Sequence, residues 1–355
     1  MGTRDRAGMN PFTYQRPDTI AQAVTLLLRG GGDAQADQAR PIAGGTNLLD
    51  LMKLGIMRPR MLADLNGLPM SGISLRKDGG LSLGALARNA ATAYHPEVER
   101  RYPLLAAAIL AGASPQIRNM ASNGGNLLQR TRCTYFYDRA TPCNKREPGT
   151  GCSAIGGLTK YHAILGVSDA CIATHPSDMC VALRALDAVV QVVGPEGERS
   201  IAFEDFHRLP GETPQFDTHL APDEVITRID LPQADALAGH SSYLKIRERL
   251  SYAFALVSVA AALDLGPAGE IRDVRVALGG VAHKPWRVRE AEQALIGGAP
   301  SATAFEGLAE AVLDGARGQG QNDFKLTMAR RAVVRALELA HAGTVRNRST
   351  VEEPA

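Results

Sequence analysis

The segment "PIAGGTNLLDLMK", residues 41–53, sets the tightest condition on the fold. A brief apolar strand runs into paired glycines and a helix begins at once. Gly44 and Gly45 let the backbone approach a ligand closely, and Thr46 or Asn47 falls at the cap of a helix whose free N–H groups favour an anion. Taken alone, the segment reads equally as an ordinary strand-to-helix turn with an Asn cap. It is neither the GxGxxG of a nucleotide-binding βαβ unit nor a phosphate-binding loop with GK followed by Ser or Thr, so those folds lose support. Further along, "SNGGNLLQ" (residues 122–129) repeats the chemistry with two glycines, an Asn and an apolar run. Two matched turns that face each other would clamp a diphosphate-containing ligand.

The chain has 355 residues, 45% of them hydrophobic, enough to fill more than one core. Its 39 basic and 37 acidic residues leave a net charge of +2 with no recurring block of like charge, so electrostatics single out neither nucleic acid nor a membrane surface. No apolar run reaches the roughly 20 residues that span a bilayer, and "MGTRDRAGMN" lacks both an apolar signal core and a twin-arginine pair. "MNPFTYQRP" reads as a natural start at Met9, which makes residues 1–8 an extension or tag.

Between these landmarks, "DTIAQAVTLLLRG" has an Asp18 N-cap, apolar residues at helical spacing and Gly30 as a stop, followed by the linker "GGDAQADQAR". "MLADL" and "LSLGAL" are strands, and "YPLLAAAILAGAS" is a buried helix. "HPSDMCVALRALDAVVQVVG" passes from helix to strand, "EGERSI" turns into another strand, and "VITRIDLP" ends one at Pro232. "QADALAGHSS" is the best linker. Beyond it lie the strands "SYLKIRER" and "IRDVRVALGGV", the ambiguous "YAFALVSVAAALDL", and Ala-rich helices at 301–316 and 323–342. The polar tail at 343–355 reads as disordered.

"RCTYFYDRATPCNKREPGTGC", residues 132–152, has no hydrophobic periodicity and holds Cys133, Cys143 and Cys152; Cys171 follows. A chain this large needs no disulfide staples. Four unevenly spaced thiols match the ligand count of a [4Fe–4S] cluster, with Arg132, Lys145 and Arg146 to offset its negative charge. Structural zinc, though without the usual short paired spacings, and free thiols stay open. Cys180 lies at helical spacing and reads as core. His175 and His283, each near a proline, read as structural histidines with an acid/base role as the alternative, and Trp286 reads as packing. No nucleophile elbow, HExxH or paired carboxylate argues for hydrolysis.

"IAGGTNLLDLMK", "QIRNMASNGGNLLQR", "CIATHPSDM", "SYAFALVSVAAAL" and "ALGGVAHKPWR", in this order from about Met9 to about Ala342, resemble the FAD-binding middle subunit of the xanthine dehydrogenase and molybdenum aldehyde oxidoreductase family. The resemblance implies an α+β fold. An FAD-binding domain of the vanillyl-alcohol-oxidase (PCMH) type, 9–232, has two α/β subdomains at about 9–62 and 63–232; a smaller α+β domain of the CO dehydrogenase flavoprotein type follows at 240–342. It also implies that the FAD pyrophosphate lies on the backbone amides of both glycine turns. The residues implied are Ala43, Gly44, Gly45, Thr46, Asn47 and Leu48, then Asn123, Gly124, Gly125, Asn126 and Leu127, with Arg118 and Asn119 supporting the second loop. Ser177 and Asp178, and more weakly Lys245, match segments near the flavin. Members of the three-subunit aldehyde oxidoreductase type and the 4-hydroxybenzoyl-CoA reductase type carry a cysteine insertion like 130–171 that holds a [4Fe–4S] cluster, which implies Cys133, Cys143, Cys152 and Cys171 as ligands.

The implied role is electron transfer in a heterotrimer. A large molybdenum-cofactor subunit oxidises an aldehyde to a carboxylic acid, a small subunit with two [2Fe–2S] centres relays electrons, and FAD on this chain passes them to an external acceptor. No residue of this chain is then catalytic. A non-redox assembly subunit and a stand-alone flavin oxidase are the alternatives. The expected compartment is the periplasm by co-export with a signal-bearing partner, with the cytoplasm as the alternative.

Overall fold

The computed structural model describes residues 9–29 and 39–345. The extension at 1–8, the stop at Gly30, nearly all of the linker that follows it and the tail from 346 onward lie outside the described residues.

Three short strands, β1 (Thr13–Gln15), β2 (Arg40–Ile42) and β3 (Met61–Asp64), form a parallel sheet in the order β1-β3-β2. The helix Ile20–Arg29 turns Ala23, Val24 and Leu27 into a core with Ala63 and Leu65, as its 3.6-residue periodicity requires. Its cap is Thr19, one residue later than Asp18. Thr19 O receives the Ala23 amide at 3.1 Å and Thr19 Oγ1 the Gln22 amide at 3.2 Å, so Thr19 is where the helical ladder opens.

The next sheet is antiparallel: β4 (Ile73–Leu75), β5 (Leu81–Gly84), β6 (Val189–Gly194), β7 (Gly197–Ala202) and β8 (Val225–Leu231), in the order β4-β5-β8-β6-β7. Val190 and Val192 point inward at strand period two to meet Leu81, Leu83 and Ile229 in one core. The helices Pro103–Ala111 and Asp178–Ala185 join that core, and the second is buried along its whole length.

A third sheet, β9 (Ser241–Ile246), β10 (Val257–Leu265) and β11 (Ile271–Gly279), is an antiparallel meander with β10 in the middle. The ambiguous apolar run is therefore a central strand. Its alternation is hidden because both faces are covered. Val257, Val259, Ala261 and Leu263 face a core with the helices Ala302–Val312 and Phe324–His341, while Ala260 and Ala262 face the core of the preceding sheet. Small alanines on that side let the helix Asp178–Ala185 pack close. The linker after Pro232 is anchored: Tyr102 donates to the Pro232 carbonyl at 2.9 Å and Arg101 pairs with Asp235 at 2.6 Å. Trp286 packs against the third core and its indole N–H donates to Val312 O at 3.0 Å.

Candidate functional site

The two glycine segments meet backbone to backbone. A Cβ on Gly44 would lie 2.0 Å from the Met120 carbonyl oxygen and 3.1 Å from Ala121 Cα, so only glycine permits the contact. Gly45, at φ +70°, occupies the left-handed region that makes the following turn possible. Arg88 braces the pair, donating to Met120 O at 2.6 Å and to Asn66 Oδ1 at 2.9 Å, while Asn66 Nδ2 donates to Ala43 O at 3.0 Å.

Asn47 occupies the cap position of the helix Leu48–Lys53 but makes no side-chain cap bond. Its Oδ1 instead accepts the Arg130 amide at 2.9 Å, tying the first turn to the segment beyond the second. Its Nδ2 is a buried donor with no partner, and the amides of Gly44, Gly45, Thr46 and Asn47 meet no acceptor of the protein among the described residues. These unspent donors fit a phosphate-bearing ligand.

The second segment differs from expectation. Asn123–Leu127 is a short helix, capped by Ser122, whose Oγ accepts the Gly125 amide at 3.3 Å. The amides of Asn123 and Gly124 donate to Ala87 O at 2.9 Å and Ala85 O at 2.8 Å, so they cannot also receive a pyrophosphate. The Asn123 side chain is fully buried, donating to Thr92 Oγ1 at 2.9 Å and accepting from Asn89 Nδ2 at 3.0 Å. Leu127 is core; Gly125 is the exposed backbone of this segment. Arg118 does not support the loop either. It donates to Gly112 O at 2.6 Å and so closes the end of the helix Pro103–Ala111, while Asn119 is exposed.

Ser177 caps the helix Asp178–Ala185 and donates to Asn126 Oδ1 at 2.5 Å, which binds this segment to the second glycine helix. Asp178 and Lys245, nearly 70 residues apart in sequence, form a buried ion pair at 2.8 Å, and Tyr243 donates to the same carboxylate at 2.7 Å. Lys245 and Arg247 both donate to Ala111 O, so the third sheet closes over the helix end beside the second loop.

Cys133, Cys143, Cys152 and Cys171 line one small cavity, together with Thr131, Phe136, Lys145 and Ile172. The loop that carries them is wired to itself. Cys143 and Cys152 form an antiparallel bridge, Cys171 bridges to Ser168, and Asn144 joins Gly151 and Ala170 through its side chain. Of the three expected cations, Lys145 alone lines the cavity. Arg146 donates to the carbonyls of Tyr135, Phe136 and Thr141, and Arg132 bonds Tyr137 and Gln129. Burial pushes the Cys133 thiol up to about 12 and the Cys171 thiol up to about 11, the latter opposed by Lys145. Leu48, which follows the first glycine turn, packs on the cluster that holds Cys133, Cys143 and Phe136, so one short helix separates turn from cavity.

Asp217 links these parts. It pairs at 2.5 Å with both Arg130 and Lys145, and lies 3.8 Å from His283. Burial opposes its ionisation, but the two cations hold its carboxyl below the usual range. His175, Cys180 and His207 form a buried group with ligand atoms within 4.8 Å of one another, the two imidazoles tilted by 52° with centroids 4.3 Å apart. His283 Nδ1 donates to Arg208 O at 2.8 Å. His175, His283 and Cys180 are all buried. Asp217, Arg88, Asn66 and His162, whose ring Nε2 lies 3.1 Å from Cys133 Sγ, stand in no motif, and nothing in the sequence marks them.

Residues 10–234 match the family described as the FAD binding domain in molybdopterin dehydrogenase, and residues 242–340 match the CO dehydrogenase flavoprotein C-terminal domain. The chain is 50% identical to the aldehyde oxidoreductase FAD-binding subunit PaoB of Escherichia coli, over 94% of this chain and 99% of that one. It is 29% identical to the glyceraldehyde dehydrogenase medium chain of Sulfolobus acidocaldarius, over 81% of each. Among solved structures, a carbon monoxide dehydrogenase chain from Hydrogenophaga pseudoflava superposes with a TM-score of 0.72 at 27% identity, covering 94% of this chain and 98% of that one. The unspent amides of Gly44 to Asn47 thus lie in a domain whose family is described as FAD-binding, and the chain belongs to the FAD-binding subunits of the xanthine dehydrogenase and aldehyde oxidoreductase family.

Proposed function

We propose that this protein is the FAD-bearing electron-transfer subunit of an aldehyde-oxidising molybdenum hydroxylase, and that its cysteine loop holds a [4Fe–4S] cluster. The observation that carries the second part is the convergence of Cys133, Cys143, Cys152 and Cys171 on one cavity, next to the first glycine turn. A single zinc ion bound by four thiolates at about 2.3 Å needs sulfurs about 3.8 Å apart. Among the described residues, the one group of three ligand atoms within 4.8 Å of one another is His175, Cys180 and His207. The four sulfurs thus surround a volume rather than a point, which favours a cluster in which each thiolate takes a different iron.

FAD supplies the step from two single-electron arrivals to one two-electron departure. The protein's share is positioning. The free amides of Gly44 to Asn47 and the Asn47 side chain are the groups available to a pyrophosphate, and the Asp178–Lys245 pair fixes the third sheet against the helix end beside the second loop. The aldehyde reading comes from the named activity of the E. coli relative. In this proposal the chain works with a large molybdenum-cofactor subunit and a small [2Fe–2S] subunit in a heterotrimer and travels to the periplasm with its partner.

Anaerobic purification of the complex, with flavin, iron and acid-labile sulfide measured per chain and EPR after reduction, tests the proposal. One FAD and about four irons beyond those of the small subunit are expected. Zinc or no metal in the cysteine cavity refutes the cluster, and a folded complex without flavin refutes the whole reading.

A further inference from the structure

We propose that His162 raises the reduction potential of the cluster by donating a hydrogen bond from Nε2 to the Sγ of Cys133. The inference rests on the cluster reading above. Nε2 and Sγ are 3.1 Å apart, although the residues lie 29 positions apart in sequence. The other ring nitrogen, Nδ1, is buried with no partner. A neutral imidazole carries one N–H, and placing it on Nδ1 would orphan a buried donor, so the hydrogen-bond network assigns the proton to Nε2. A metal-bound thiolate can only accept.

The orientation of the ring is built. The His162 carbonyl receives Asn322 Nδ2 at 3.0 Å and Lys325 Nζ at 3.0 Å, and its amide donates to Thr159 O at 2.9 Å. Thr159 is clamped in turn, donating to Gln319 O and accepting from the Gln321 amide. The segment 319–325, outside the cavity, thus pins the backbone from which the imidazole reaches Cys133. Asn322 and Lys325 are fully buried, so this clamp is not a surface accident.

Reduction adds negative charge that the cluster spreads over its thiolates. A donor aimed at one of those sulfurs therefore stabilises the reduced form more than the oxidised form and raises the potential. At a site 4% exposed, little water competes with the bond. His162 is thus a positioning residue for electron transfer rather than a ligand.

The test uses the intact complex, with an EPR-monitored redox titration and iron content per chain, for the wild type, His162→Leu and His162→Gln. His162→Leu removes the donor; His162→Gln keeps an N–H of similar reach. The expected result is a full cluster in both, with the reduced-to-oxidised ratio at the wild-type midpoint about tenfold lower in His162→Leu, which is 59 mV for a one-electron couple. His162→Gln should stay close to wild type. A full cluster with unchanged potential in His162→Leu overturns the inference. If His162→Leu loses iron, His162→Gln decides: wild-type iron and potential support donation, and loss of iron there too makes His162 a structural or ligating residue and overturns it. Absence of the cluster from the wild type is a separate result, which overturns the cluster reading and this inference with it.

Discussion

Replacing Gly44 by alanine should force apart the two glycine segments proposed to hold FAD. The added Cβ would stand 2.0 Å from Met120 O and 2.7 Å from Met120 C. An ordinary carbon–oxygen contact is about 3.3 Å, so the two segments must part by about 1 Å. Neither obstacle is a flexible side chain. Met120 O is also the acceptor of the Arg88 brace at 2.6 Å, so moving it strains a second contact. Overpacking of this kind costs about 1–3 kcal/mol, and rigid backbone on both sides places Gly44→Ala at the upper end. At about 2–4 °C per kcal/mol for a domain of this size, the melting temperature should fall by roughly 6 °C or more. If the strain is relieved by widening the cleft, flavin affinity should drop by up to about 100-fold. Differential scanning calorimetry and flavin content after dialysis check both. Gly72→Ala, where an added Cβ meets nothing within 4 Å, is the control and should be silent. A Gly44→Ala protein with wild-type melting and stoichiometric flavin would refute the argument that these loops form the clamp.

Other substitutions probe the remaining parts. Asp217→Asn leaves Lys145, 1% exposed, and Arg130 without their countercharge, and should cost about 3–5 kcal/mol in urea unfolding; a loss below about 1 kcal/mol would show that the hub is dispensable. On the proposed cluster reading, Cys171→Ser should lower iron content and bleach the cluster absorbance while flavin stays bound, and unchanged iron would remove Cys171 from the ligand set. Gly307→Ala, on an exposed helical position with open space, should stabilise by about 0.5–1 kcal/mol, read from the denaturation midpoint. Burial lowers His207 to about 4 and His283 to about 3. Above pH 6.5 folded and unfolded forms are both neutral at these sites; below it the unfolded chain alone takes up the protons. Stability should therefore fall by about 1.4 kcal/mol per pH unit for each histidine as pH drops from 6.5 toward 5, and a flat profile would mean that these rings accept protons in place.

The parts of the site that were legible in the sequence are those whose chemistry is local. Paired glycines at a strand end announce a close approach whatever surrounds them, and Gly44 does meet Met120. The cysteines' count and shared loop likewise pointed to one centre, and they do line one cavity. The second loop was misjudged because its glycines look the same in sequence as the first pair. Whether the Asn123 and Gly124 amides are free depends on Ala85 and Ala87, which approach them only after the second sheet has formed. Arg146 was misassigned for the same reason, since nearby carbonyls claim its guanidinium before it can reach the cavity.

What the sequence determined by itself is the order of elements, the buried helices and strands, the glycine turn and the set of thiols, because periodicity, glycine's freedom and thiol chemistry act over a few neighbouring residues. The tertiary structure alone decided that β10 is a strand covered on both faces, that Asp217 joins Arg130, next to the first glycine turn, to Lys145 of the cysteine loop, and that His162 reaches Cys133. Those are contacts between residues far apart in the chain, made by burying apolar faces whose pairing no local pattern encodes, and each polar group then settles on whichever partner the packing brings within about 3 Å.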